Sequence, residues 1–204
     1  MHPNLAFRAE DRAHHLSFAR ERAFGVLALS TDDAPLISHV PFLLSENGTV
    51  AELHLVRSNP IVRALKEPQV ARIAVSGPDS YVSPDWYGVT DQVPTWNYVA
   101  VHLTGRLELR PQEELHDLLD RQSAFFEEQL LPKPPWRASK MTQTALSRMM
   151  RMIVPCRMDV EDIQGTWKLN QNKADDVRLA AADHVKADGF GSEIVRLATL
   201  MRDS

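Results

Sequence analysis

Apolar and polar residues alternate with a period of two through LISHVPFLLS (36–45) and VAELHLVR (50–57), the pattern of half-buried strands. ENGT lies between these runs, and Asn47-Gly48 predicts a β-hairpin because both residues accept positive φ. A turn with two central residues sets Glu46 opposite Thr49. Carried along the strands, that register puts His39 opposite Val56 and diagonal to His54, with Ser38 opposite Arg57 on the other face. FGVLALST (24–31), QVARIAVSGP (69–78) and the run 98–109 read as further strands. CRMDVEDIQGTWKLN (156–170) reads as a strand pair or one bent strand.

Helical patterns lie between and after these runs. Residues 8–23 are charged and Ala-rich, the mark of a solvated helix. RSNPIVRALKE opens a helix, with Pro60 in its first turn and Ser58 or Asn59 as its cap. From Pro111 to about Leu130, QEELHDLLDRQSAFFEEQL forms a helix with an acidic start, and the prolines of LPKPPW make a rigid connector to a Met-rich helix at 141–153. The tail is helical over 172–203 and broken near Gly189-Phe190-Gly191. Regular strand–helix alternation is absent, which excludes a doubly wound parallel sheet. The expected fold is mainly β with peripheral helices (α+β), a small antiparallel barrel. We expect a single domain over 1–204, with a helical insertion at about 112–153 and a helical tail at about 172–203.

Composition narrows the function classes. The 204 residues are 44% hydrophobic and 25% charged, the usual globular balance. A net charge of -4 argues against a general polyanion-binding surface. One cysteine, Cys156, leaves no internal disulfide and fits a reducing compartment. MHPNLAFRAEDR lacks a cationic start followed by an apolar run, and no apolar stretch approaches membrane-span length, so the expected setting is cytoplasmic.

Three stretches carry candidate chemistry. In RSNP, the Arg57 guanidinium stands beside a helix start with Ser58 and Asn59, a ready phosphate or carboxylate site; read more simply, Ser58 caps the helix and Arg57 is a surface charge. Tyr81, Trp86, Tyr87, Trp96 and Tyr98 crowd one Pro-containing loop, suited to a pocket wall or to a core corner. In GTWKLNQN, Trp167 and Lys168 project to opposite sides of a strand, and Asn170, Gln171 and Asn172 either offer amides to a ligand or form the turn that starts the last helix. No HExxH or paired CxxC spacing points to a metal site, and no GxSxG, Walker or GxGxxG motif appears.

Taken in order, SHVPF (38–42), HLVRSNP (54–60), SGPDSYVSPDWY (76–87), VPTWNYVAVHLTG (93–105) and GTWKLNQN (165–172) resemble the PaiB family, FMN-binding split-barrel proteins often labelled negative transcriptional regulators. The resemblance implies an antiparallel split β-barrel of the pyridoxamine-phosphate-oxidase-like type, a homodimer with FMN at the subunit interface. Ser38, His39, Val40 and Pro41 then run along the flavin ring edge, and His54, Arg57, Ser58 and Asn59 approach the ribityl chain and phosphate. Trp96, Asn97, Lys168, Gln171 and Asn172 come from the other subunit. Thr166 and Asn170 depart from the family's usual Lys and Ser.

Three functions follow from this reading. The first is a flavin-dependent redox protein, a possible oxidoreductase with no catalytic residue assigned. The second is an FMN-linked regulator that meets DNA through Arg148, Arg151 and Arg157, or a DNA-binding regulator without flavin. The third is haem binding or degradation on the same barrel, through His39, His54 or His102.

Overall fold

The computed structural model describes residues 1–8 and 10–204. Among them are seven strands: β1 (Phe24–Leu29), β2 (Leu36–Leu44), β3 (Val50–Val56), β4 (Gln69–Val82), β5 (Thr95–Leu109), β6 (Ile153–Lys168) and β7 (Gly191–Ser192). The described helices are α1 (Arg12–Arg22), α2 (Pro60–Ala64), α3 (Leu115–Glu128), α4 (Gln143–Met150), α5 (Asp175–Asp188) and α6 (Ile194–Asp203). The sheet order is β1-β2-β3-β6-β5-β4-β7, and β1 also pairs with β4, so six strands close into a barrel. The β1–β2, β1–β4, β2–β3, β3–β6 and β4–β7 pairs are antiparallel, as the hairpin pattern predicts. No helix among the described residues is long and apolar enough to cross a membrane.

The hairpin keeps the predicted register through a different turn. Phe42, Leu43 and Leu44 face Leu53, Glu52 and Ala51. Ser45 and Val50 close the loop, the Ser45 N–H donating to the Val50 carbonyl at 2.9 Å, and the Gly48 N–H donates to the Ser45 carbonyl at 2.9 Å. Residues 46–49 therefore form a four-residue loop. Lengthening a loop by one residue on each side leaves the opposed pairs unchanged. Only Gly48 takes positive φ, at 71°. Asn47 acts through its side chain instead: its Oδ1 accepts from Ser45 Oγ at 2.8 Å and from the Thr49 N–H at 3.1 Å.

The expected His39–Val56 and Ser38–Arg57 pairs are not made. The β2–β3 ladder ends at Phe42↔Leu53, while β2 pairs with β1 from Leu36↔Leu29 to Pro41↔Phe24, with His39 facing Val26. Pro41 has no N–H to extend the β3 ladder, so β2 parts from β3 there. The β2 edge over 36–41 on the side away from β1 carries no ladder.

Two further expectations hold and one changes. Residues 153–168 make one strand, β6, and the break in the tail is β7, which pairs Ser192 and Gly191 with Asp79 and Ser80 of β4. The aromatic stretch is not one loop: Tyr81 belongs to β4, Trp96 and Tyr98 to β5, and Trp86 and Tyr87 to a short 3-10 turn, Pro84–Tyr87.

The chain forms two compact units. Unit 1 comprises Met1–Phe18, Val75–His102 and Ile163–Ser204; unit 2 comprises Ala19–Ala74 and Leu103–Asp162. In unit 2, period-two alternation turns Leu27, Leu29, Phe42, Leu53, Ile73, Leu103, Leu107 and Met158 inward, all fully buried. Gly105 is required where β5 meets β6, because a Cβ there would lie 2.0 Å from the Asp159 carbonyl oxygen. Unit 1 has its own core, with Trp167 at its centre. The Trp167 Nε1–H donates to His15 Nδ1 at 3.1 Å, and Phe18 meets its ring edge-on with centroids 5.4 Å apart.

Candidate functional site

The β3–α3 contact in unit 2 shows how local periodicity builds the site. Alternation puts Glu52 and His54 on the same outward face of β3. Arg121 of α3 grips Glu52 with two bonds, Nη1 to Oε2 at 2.7 Å and Nη2 to Oε1 at 2.9 Å, and its Nε donates to Asp117 Oδ2 at 2.7 Å. This bidentate pair pins the helix to the strand, and it raises the Arg121 pKa through the Glu52 bond first. The next helix residue, Gln122, is the polar member of the buried face that Leu115 and Leu118 begin.

Gln122 is only 5% exposed, and its Nε2 has no hydrogen-bond partner; neither has the buried Nδ1 of His54. Burial holds the His54 imidazole below its ordinary pKa, with Gln122 acting in the opposite sense. Gln122 is thus close to His54 without completing hydrogen-bond geometry with its Nδ1. Both residues line a niche of about 310 Å³ with Pro41, Leu119, Phe126 and Trp136. A larger cavity of about 950 Å³, lined by α3, the 131–139 segment and α4, shares Ser123 and Trp136 with it. Glu127 fixes this segment: Lys133 pairs with its carboxylate, and the Trp136 N–H donates to Oε2 at 2.7 Å. The Lys133 bond, then the Trp136 bond, pull the Glu127 carboxyl below the usual range.

Among the expected site residues of unit 2, Ser38 and Asn59 meet at the start of α2, while Pro41 and His54 line the niche against α3. Asn59, not Ser58, caps the helix: its Oδ1 accepts from the Ile61 N–H at 2.9 Å while its Nδ2 donates to Ser38 Oγ at 3.0 Å. This ties the open β2 edge to the start of α2. At five residues α2 is about one turn, so its dipole offers little to an anion. Arg57 departs from the expected free cation. Its Nε donates to the Arg151 carbonyl at 3.0 Å and its Nη2 to Gln112 Oε1 at 2.7 Å, fastening the junction between α4 and β6. Ser58 and His39 are exposed, Val40 is buried with its main chain turned to β1, and Pro41 reaches the niche.

The other expected site residues lie in unit 1. Trp96 is 41% exposed; its Nε1–H donates to Asp79 Oδ1 at 3.3 Å, and it packs edge-on to Tyr81 and Phe190. Asn97 is fully buried, with its amide donating to the Met201 sulfur at 3.5 Å, so its side chain faces the core instead of a pocket. Lys168 bonds Thr95 Oγ1 and lies 5.9 Å from the Phe7 ring centroid; burial lowers its pKa. Gln171 is occupied locally, accepting from the Leu169 N–H at 2.8 Å and donating to the Trp167 carbonyl at 2.5 Å. Asn170, at φ 66°, makes the turn and Asn172 is exposed. The simpler reading of Asn170-Gln171 as a turn is thus the one the hydrogen bonds carry.

Of the regulatory features expected from sequence, the cationic patch is altered and the long helix connector holds. Arg157 pairs with Asp159 Oδ1 at 2.8 Å, so the Arg148, Arg151 and Arg157 set is not a free cationic patch. α3 and α4 are separated by residues 129–142, far longer than a helix-turn-helix turn. Sequence reading missed Gln122 and Trp136. A polar residue on the apolar face of an amphipathic helix was the available signal for Gln122; nothing local marked Trp136.

The donor set suits a flavin mononucleotide. An isoalloxazine edge needs main-chain donors and acceptors, which the open β2 edge supplies at Ile37, His39 and the Pro41 carbonyl. A ribityl phosphate needs hydroxyl and cationic donors, offered by Ser58, the Ser38–Asn59 pair and the remaining Arg57 nitrogen. Comparison with known proteins agrees with this chemistry. Residues 1–162 match the family model described as "Putative FMN-binding domain". Protease synthase and sporulation protein PAI 2 of Bacillus subtilis is 28% identical over 169 residues, covering 82% of this chain and 80% of that protein. Among solved structures, the FAD and haem binding protein of Mycobacterium smegmatis superposes with a TM-score of 0.60 at 16% identity, over 91% of this chain and 82% of that one. The flavocytochrome Anf3 of Azotobacter vinelandii gives 0.54 at 15% identity, over 82% and 72%. At these identities the two structures support the fold alone. The chain belongs to the FMN-binding domain family, the PaiB family that its sequence motifs resemble.

Proposed function

We propose that this PaiB-type protein holds FMN along the β2 edge of unit 2, as a homodimer in which a second copy contributes residues of unit 1. The edge of segment 36–41 that faces away from β1, tied through Ser38 to the Asn59 cap, is the observation that carries this reading. In it, the main-chain groups that face away from β1, those of His39 and the Pro41 carbonyl, orient the ring edge, while Ser38 and Val40 hold the strand to β1. Ser58 and the free Arg57 nitrogen face the phosphate, and Asn59 holds the two segments in register. Trp96, Lys168 and Asn172 are the residues a second copy would present; Asn97 and Gln171 support them from within unit 1. Exposed apolar side chains at Ile37, Val56, Met149 and Met152 in unit 2 favour a covering partner. When bound, FMN supplies one- or two-electron transfer, and the protein's part is to orient it and exclude water. The reading favours a flavin-dependent redox protein; with Arg157 paired, nothing in unit 2 adds weight to DNA contact. In the single-domain reading both units form one FMN-binding domain, since β4, β5 and β6 each run from one into the other.

The test is an FMN titration of purified protein, followed by flavin fluorescence, with light scattering for mass. A dimer that binds FMN, weakened by Ser58→Ala and Lys168→Ala without loss of fold, is the expected result. A folded protein that leaves FMN fluorescence unchanged refutes the reading.

A further inference from the structure

The niche between β3 and α3 contains two buried polar atoms that the fold leaves unpaired. Gln122 Nε2 and His54 Nδ1 both lack partners, on residues fixed by the neighbouring Glu52–Arg121 clamp. A buried donor left unsatisfied costs about 1–3 kcal/mol, so a fold that keeps one at a cavity wall gives up stability there. Had Gln122 been needed only for packing, an apolar residue on this face would serve better, as Leu115 and Leu118 do. The remaining walls are mostly apolar or aromatic, Pro41, Leu119, Phe126 and Trp136, with Ser123 and Glu127 beside them. At about 310 Å³ the niche is at the small end of ligand pockets.

We propose that this niche binds a small, neutral aromatic carbonyl compound, whose oxygen accepts from Gln122 Nε2 and whose ring packs between Phe126 and Trp136. His54 Nδ1 completes the polar contact, as donor or acceptor according to its tautomer. Charge decides between a neutral and an anionic ligand. The one formal charge in the lining is the Glu127 carboxylate, already paired with Lys133, and burial disfavours the charged form of His54. A carboxylate ligand would therefore meet a like charge and find no free cation, whereas an amide or ketone loses little on desolvation. The inference deepens the flavin reading and rests on it for its biological sense, because Pro41, a proposed flavin contact, also lines the niche.

The probes are benzamide and its anionic counterpart benzoate, titrated by ligand-observed NMR against the full chain with and without FMN. Benzamide should bind, benzoate about tenfold or more weaker, and Gln122→Met should weaken benzamide about tenfold, the loss of one good hydrogen bond. The variant should melt at or above the wild-type temperature, since it removes an unsatisfied buried group; a purely structural glutamine would lower it. If Gln122→Met fails to fold, Trp136→Ala at the exposed rim tests the ring contact instead, with weaker benzamide binding expected. Absence of benzamide binding, or equal binding by the variant, or equal binding of benzoate, overturns the proposal. One-for-one displacement of benzamide by FMN also overturns it, making the niche part of the flavin's own pocket and leaving FMN binding intact. Benzamide binding by a protein that ignores FMN would instead sink the flavin reading and keep the niche.

Discussion

Replacing Asn59 by alanine removes two interactions at once, and their separate sizes can be worked from the geometry. The side-chain oxygen accepts from the Ile61 N–H at 2.9 Å and caps α2; the amide donates to Ser38 Oγ at 3.0 Å and anchors the open β2 edge. Loss of a cap costs about 1 kcal/mol, and loss of a neutral, half-buried hydrogen bond costs about 1 kcal/mol. Asn59→Ala should therefore lose about 2 kcal/mol, or about 4–8 °C in a chain of this length. Asn59→Ser keeps an N-cap oxygen but is too short to reach Ser38, so it should lose about half as much. Ser38→Ala isolates the other half, and a double-mutant cycle between positions 38 and 59 should give a coupling near 1 kcal/mol. The assay is urea denaturation followed by tryptophan fluorescence, with slopes checked for a change in cooperativity. Equal losses for Asn59→Ala and Asn59→Ser, with no coupling to Ser38, would show that the bridge contributes nothing.

Two further outcomes follow from buried titratable groups. His15, buried against Trp167, has its pKa lowered by burial first and by the neighbouring His14 second; burial likewise lowers that of His54. The unfolded imidazole takes up a proton near 6.5 while the native one stays neutral to lower pH, so stability is full above that value and declines as pH falls below it. Melting temperature should therefore fall between pH 7.5 and pH 5.5, and less steeply for His15→Gln, which keeps an acceptor for Trp167; an unchanged slope in the variant rules out His15 as a source. Cys156 is 1% exposed, and burial pushes its thiol up to about 12. Ellman's reagent should label it only after denaturation, and rapid labelling of the native protein would contradict that burial.

The strand inventory was legible from sequence because half-buried strands write their burial as a period of two. β2, β3 and β5 each show it, and symmetry about Asn47-Gly48 set the hairpin register even though the turn has four residues. The chemistry of RSNP was legible only as residue types. Sequence showed a guanidinium beside a cap, but not that Arg57 is spent on the Arg151 carbonyl and Gln112, which are distant along the chain. The same holds for Asn97, whose neighbours suggested a pocket wall until the Met201 contact placed it in the core. Local pattern determines which face of a strand or helix is buried, since that depends on spacing within a few residues. Which polar groups remain unpaired depends on what distant segments supply. Gln122 Nε2 and His54 Nδ1 stay unpaired where Glu52 and Arg121 join β3 to α3, and no window of sequence contains that contact.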